Sequence, residues 1–347
     1  MVTRPIRERP VSEIIETIQK AVQATGYNEV GLLSLSSSDY THIADLVKEI
    51  QAHFSSSHLP ISLPSLRIET FSVELMQALG TTRRGGFTLA PEAATERMRN
   101  IINKPISTQD LLQTTQAIFE NGWSTIKLYF MIGHPLETLA DVQAIVDLSR
   151  EVLSMGRKIV GHRVQIHVSV STFIPKPHTP FQWVACDSTE NIETKLHLLQ
   201  HNLRGKNLKL TWNPSEATFL EAWLSRGDRR LAQVIYLAWK HGAKFDAWND
   251  QRKMDAWYQA FAESGLQPEF YTHRLRPLTE AFPWDHIDIG VRKKYLLQDY
   301  QRSLQEQTRP DCRQGCYACG ILPKYNSLRR EKGLTWKCPP LKIHSTA

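Results

Sequence analysis

The sequence predicts an α/β fold, a parallel sheet covered by helices and either open or curved into a barrel, followed by a mainly helical region and a cysteine-rich tail. Three observations predict it. Short apolar runs of strand length alternate with helix-period segments over residues 1–200. The strands are apolar enough for both faces of a sheet layer to be covered. Charge and tryptophan then change after residue 200: residues 1–200 hold 18 Lys+Arg against 20 Asp+Glu, residues 201–347 hold 24 against 15, and seven of the nine tryptophans lie in the second stretch.

In order, Ser12 is placed to cap a helix whose apolar positions are Ile14, Ile15, Ile18 and Val22. Residues 29–35 form a strand and residues 41–53 return to helical spacing. Further strands are expected at 61–68, 86–90, 125–132 and 164–173, with helices at 93–102, 108–120 and 138–154. Ser107 before Asp110, and Thr138 before Asp141, are start signals of the capping-box kind. The domain limits expected are 1–200 for the sheet region, 201–310 for the basic, Trp-rich helical region and 311–347 for the tail.

The 347-residue chain carries a net charge of +7 and 22% charged residues, which excludes disordered and fibrous classes. No apolar run of about eighteen residues is present to span a membrane, and the first ten residues, MVTRPIRERP, are no secretion signal. Five cysteines, three of them within eight residues, fit metal ligation in a reducing compartment better than a disulfide framework. A cytoplasmic protein is expected. The thirteen histidines show no metalloprotease or triad spacing.

Loops after the carboxyl ends of strands build the site in parallel α/β sheets. Here those loops read Ser36-Ser37-Ser38-Asp39, Pro91-Glu92, Gly133-His134-Pro135-Leu136-Glu137 and Phe173-Ile174-Pro175-Lys176-Pro177-His178. Asp39, Lys127, Tyr129, Lys176 and His178 are candidate substrate contacts, alongside the Arg226, Asp228 and Arg229 of a Arg-Gly-Asp-Arg-Arg run. That run either clamps a phosphate or carboxylate or is a salt-bridged helix junction, with Asp228 capping the second helix. Cys312, Cys316, Cys319 and Cys338 are candidate metal ligands, for an auxiliary Fe–S cluster or a tetrahedral zinc. Cys186 reads as a small core residue.

Blocks such as RPIRER (4–9), LSLSSSDY (33–40), FTLAPEAATERMRNIINK (87–104), IKLYFMIGHPLET (126–138), STFIPKPHTPFQW (171–183) and DCRQGCYACG (311–320) run in order through nearly the whole chain. On these the sequence resembles the radical S-adenosylmethionine (SAM) superfamily, in an uncharacterised branch that often carries an upstream cobalamin-binding-type domain. The resemblance implies a partial (βα)₆ barrel, a [4Fe–4S] cluster that cleaves SAM to a 5′-deoxyadenosyl radical, and an electron donor such as flavodoxin or ferredoxin. It makes cobalamin a candidate cofactor of the full-length protein. It implies that Ser36, Ser37 and Ser38 hold the methionine end of SAM and Glu92 the ribose. Gly133 to Glu137 would lie near the adenosyl part, and Phe173 to Pro175 beside the adenine.

In that family the cluster-binding C-x₃-C-x₂-C loop lies immediately before the RPIRER block, whereas here Met1 stands three residues ahead of Arg4. The chain is therefore expected to be truncated, lacking the first barrel strand and the cluster cysteines. The substrate expected is unknown, with RNA or another anionic molecule suggested by the basic region. The alternative is a catalytically inactive remnant or a binding module for nucleic acid or another partner, keeping a structural metal tail.

Overall fold

The computed structural model describes residues 8–34, 40–55, 59, 61–62, 86–312 and 314–327. Its centre is a four-stranded parallel sheet of β3 (Phe87–Glu92), β4 (Thr125–Ile132), β5 (Gln165–Thr172) and β6 (Leu208–Trp212), arranged in that order. A two-stranded parallel pair, β1 (Val30–Gly31) and β2 (Ile61–Ser62), precedes it with α1 (Val11–Thr25) and α2 (Ile43–His53). Between the central strands run α3 (Glu96–Ile101), α4 (Thr108–Glu120), α5 (Leu139–Val160) and α6 (Thr189–Asn202).

Period-2 burial decides which face those helices cover. Ile126, Leu128, Phe130 and Ile132 of β4, and Ile166, Val168 and Val170 of β5, are all nearly inaccessible. They share one cluster with Ile118 and Phe119 of α4, Val142 and Val152 of α5, and Leu199 of α6. Each such side chain contributes roughly 1.5–3 kcal/mol by leaving water. The opposite face carries Lys127, Tyr129, Met131, His167, Ser169, Ser171, Lys209 and Thr211, none of them buried.

The caps form where the sequence places them. Ser107 accepts from the Asp110 N–H, and Thr138 and Asp141 complete a capping box on α5. Asp141 also takes Arg97 at 2.5 Å, which ties α3 to α5. Gly156 lets α5 approach the sheet, since a Cβ there would lie 2.5 Å from Val164 Cγ2 and 2.7 Å from Phe119 Cζ.

Three expectations are corrected. Ser12 does not cap α1, whose N-cap is the extended Pro10 with no side-chain cap. The strand expected over 29–35 is paired at Val30–Gly31, with 35–39 outside the described residues. The sheet also continues past residue 200 into β6, so the boundary expected there falls inside α6.

Beyond the sheet, α7 (Ser215–Arg226), α8 (Leu231–Lys240), α9 (Met254–Glu263) and α10 (Pro268–Thr272) share a second core built on Trp223, Val234, Trp257 and Phe261. A third cluster joins Trp183, from the loop after β5, to Phe282, Trp284, Tyr295 and Leu296. The last two sit on α11 (Lys293–Leu304), ahead of the short α12 (Ile321–Lys324). Arg226 fastens the two regions: fully buried, it donates to the carbonyls of Pro175 (2.8 Å), Val184 (2.9 Å) and Tyr271 (3.1 Å). Cys186 N–H donates to Thr272 O at 2.8 Å across the same seam. Farther on, Arg97 meets Glu306 at 3.4 Å and the Arg309 N–H donates to Asn103 Oδ1 at 2.7 Å, laying the segment before the cysteines along α3. Among the described residues, no helix is long and apolar enough to cross a membrane.

Candidate functional site at the carboxyl ends of the strands

Three of the four central strands run into loops that hold a non-glycine residue at positive φ: Glu92 (66°), Leu136 (65°) and His178 (56°). Such backbone is uncommon for residues with a Cβ and concentrates where a side chain must be aimed. Glu92 ends β3 just past a break in register with β4. Its carboxylate lies 3.3 Å from Lys104 Nζ, which also donates to Ala90 O. Half-buried, it keeps acceptor capacity for a ligand hydroxyl.

The loop after β4 is fixed from below. Gly133 has φ 84° and no room for a side chain, since a Cβ would meet Ile192 Cδ1 at 2.7 Å. Its N–H donates to Glu137 Oε2 at 2.7 Å, and Lys195 donates to that same oxygen and to Asp187 Oδ2, each at 2.7 Å. Burial raises the Glu137 pKa against the pull of Lys195. Burial also works to lower Lys195, but the two carboxylates outweigh it and its pKa is raised. Burial tends to raise Asp187, yet hydrogen bonds from Lys195 and Asn191 carry its pKa down. Glu137, expected beside SAM, is thus occupied by Gly133 and Lys195 and holds the loop in shape.

His134 sits in that loop, 4% exposed, with neither ring nitrogen hydrogen-bonded among the described residues. Burial, then the nearby Lys195 charge, lowers its pKa to about 4. Its ring tilts over Phe173 at 4.6 Å between centroids. Gly133, His134, Glu137, Cys186, Asp187 and Lys195 line a cavity of about 420 Å³. The imidazole without a hydrogen-bond partner among the described residues and the glycine turn thus share one cavity wall, with the Phe173 ring against the imidazole.

The face of the sheet turned away from the helices carries a register of bases. Lys127 pairs with His167, and His167 with Lys209, across three neighbouring strands. Neither lysine has an ion pair among the described residues, and burial together with Lys209 and Lys127 lowers the His167 pKa. Tyr129, Ser169 and Thr211 form the next inward row; Tyr129 is 41% exposed. Lys127 and Tyr129 are thus neighbours on one surface, while Lys176 is ion-paired to Glu221 at the periphery.

His178 lies farther out, lining a second cavity of about 790 Å³ with Arg226, Asp228 and Arg229. The Arg-Gly-Asp-Arg-Arg run joins α7 to α8, as the helix-junction reading requires, and its guanidiniums divide their tasks. Arg226 is consumed by backbone carbonyls, Arg230 pairs with Asp228 at 2.6 Å, and Arg229 is exposed. Asp228 does not cap α8 as expected, since the N-cap is Arg230 and carries no side-chain cap; Asp228 Oδ1 instead accepts from the Arg230 N–H at 2.9 Å.

Ser36, Ser37, Ser38, Asp39 and Cys338 lie outside the described residues. Cys312, Cys316 and Cys319 are partly buried, and among the described residues no group of three His, Cys, Asp or Glu is placed to hold a metal ion. Cys319 packs at the edge of the third core, its carbonyl accepting from the Arg292 N–H at 2.8 Å. Sequence reasoning missed Lys195, His167 and Lys209 as functional positions. The signal for His167 was its place in the polar phase of the 165–172 alternation, in step with Lys127.

A parallel sheet whose strands end in these loops defines the class of α/β protein that works at one rim. Residues 1–149 match the family model described as the radical SAM superfamily. The chain is also 28% identical over 234 residues to the uncharacterized protein MJ0966 of Methanocaldococcus jannaschii, covering 67% of this chain and 48% of that one. The matched stretch thus spans about half the length of this curated relative.

Proposed function

We propose that this chain is the barrel and C-terminal part of a cytoplasmic radical SAM enzyme that acts on an anionic substrate, RNA being one such substrate. In this reading β3 to β6 are the wall of a partial (βα)₆ barrel and the bare face is its inside. When bound, SAM and its cluster would supply one-electron radical chemistry, with the electron coming from a donor such as flavodoxin or ferredoxin. Glu92 accepts from the ribose hydroxyls, and the Gly133–His134 turn and Phe173 to Pro175 enclose the adenosine and keep water out. Cobalamin and a metal on Cys312, Cys316, Cys319 and Cys338 are further cofactors of this proposal, with no step assigned to them.

The observation that carries the anionic substrate is the Lys127–His167–Lys209 row on the polar sheet face that, among the described residues, is turned away from the helices. Two unpaired ammonium groups flank an imidazole, an arrangement that a carboxylate or phosphate stabilises. The row lies five residues below the end of β5, about 16 Å at 3.3 Å per residue, which leaves depth for a substrate beneath the rim.

The test is anaerobic assay of the iron- and sulfide-reconstituted protein, including any residues its gene encodes ahead of Met1. Formation of 5′-deoxyadenosine from SAM, lowered at least tenfold by Glu92→Ala, is the expected result. K127Q with K209Q should leave that cleavage intact while releasing bound anionic substrate. Absence of 5′-deoxyadenosine would discard the enzymatic reading in favour of a binding module.

A further inference from the structure

The 790 Å³ cavity beside the β5 loop is a site of its own, built from the helical region rather than the sheet. Five arginines line it (Arg226, Arg229, Arg230, Arg274 and Arg276) against two carboxylates, Asp228 and Glu280. The carboxylates are already spent. Asp228 holds Arg230 at 2.6 Å, and Glu280 grips Arg274 in a two-pronged pair at 2.7 and 2.8 Å. Glu280 reaches Arg276 only at 3.8 Å. Positive charge is thus left over on Arg226, Arg276 and Arg229.

Unsatisfied donors converge on the same walls. Arg276 is 3% exposed, yet its Nε has no partner among the described residues. The same holds for Arg274 Nε, the Tyr271 hydroxyl and His178 Nε2, all on residues lining this cavity. The aromatic faces are already used as backing: Arg276 lies 5.1 Å over Trp284 and Arg274 4.5 Å over Phe270. Stacked guanidiniums keep their flat faces covered and present their N–H edges, the geometry that grips an oxyanion. Burial, then the neighbouring Arg226 charge, brings the Arg276 pKa down to about 10, against the opposing pull of Glu280.

We propose that this cavity is a binding site for a phosphoryl group, either of a small phosphorylated metabolite or of the 5′ end of an RNA. A dianion matches the surplus positive charge better than a single carboxylate. The cavity is of the size that holds a small ligand, leaving room for what the phosphate is attached to. The site does not depend on radical chemistry.

Binding to the full chain, followed by calorimetry at fixed ionic strength, tests it. The probes are inorganic pyrophosphate, uridine 5′-monophosphate and one ribopentanucleotide with and without a 5′ phosphate. Pyrophosphate should bind, and the phosphorylated pentamer at least tenfold tighter than its dephosphorylated twin. Monophosphate binding comparable to the phosphorylated pentamer supports a metabolite as source, and much tighter pentamer binding supports an RNA end. Arg229→Glu, on an exposed side chain, and His178→Asn, which tolerates the left-handed backbone, should each weaken pyrophosphate at least tenfold with unchanged melting temperature. Equal binding of the two pentamers, or pyrophosphate affinity unmoved in both folded variants, overturns the proposal.

Discussion

At the scale of single residues, His134 and Lys195 make the sharpest demands. The folded chain holds the His134 pKa at about 4, against an ordinary value of 6.5. Between those values the unfolded chain binds more protons, so this residue's contribution is complete above pH 6.5 and is lost as the pH falls towards 4. The full difference is about 3 kcal/mol. Urea unfolding at several pH values should show His134→Phe losing less stability over that window than the parent does. Lys195→Met removes the ammonium between two buried carboxylates and should cost about 3–5 kcal/mol at neutral pH, read from the urea midpoint. The sequence alone named Glu137 but could not say what Glu137 faces. Its partner stands 58 positions away, on a helix whose charged residues otherwise read as a solvated surface.

Among elements, α5 carries both a good prediction and a tight constraint. Thr138→Ala should lower stability by about 1 kcal/mol through loss of the cap. Gly156→Ala should cost about 1–3 kcal/mol, because the new methyl would overlap Val164 and Phe119. Thermal unfolding of each single variant checks both. Strands β4 and β5 were legible as apolar runs of strand length, but the expectation that both sheet faces are covered was wrong, since their burial alternates and leaves one face polar. The edge strand β6 was not legible, since Lys209, Thr211 and Trp212 are exposed and leave little apolar signal in five residues. The Ser12 cap failed because Pro10, locked in extended geometry, takes the N-cap position two residues earlier.

For the whole molecule, the change of composition at residue 200 was real, but the boundary drawn from it was not a structural seam. Arg226 bolts the β5 loop to the helices through contacts between residues more than forty positions apart, which no local pattern reveals. Arg226→Met leaves the buried Pro175 and Val184 carbonyls without this donor and Tyr271 O with Arg276 alone at 3.5 Å, and should cost about 3 kcal/mol or more by urea unfolding. It should also bring protease sensitivity to residues 173–186. The cysteine tail is tested by elemental analysis after anaerobic purification. About four irons with matching sulfide would mark a cluster, and one zinc a tetrahedral site.

The sequential order of β3, β4, β5 and β6 bears on how the chain is made. β4, β5 and β6 each pair with the strand synthesised just before, so the sheet can be laid down strip by strip as the polypeptide emerges from the ribosome. Arg226 closes that process late, since it must wait for Tyr271. Until about residue 272 has left the exit tunnel, the β5 loop stays unlatched, and the newborn protein is most exposed to proteases and chaperones during that interval.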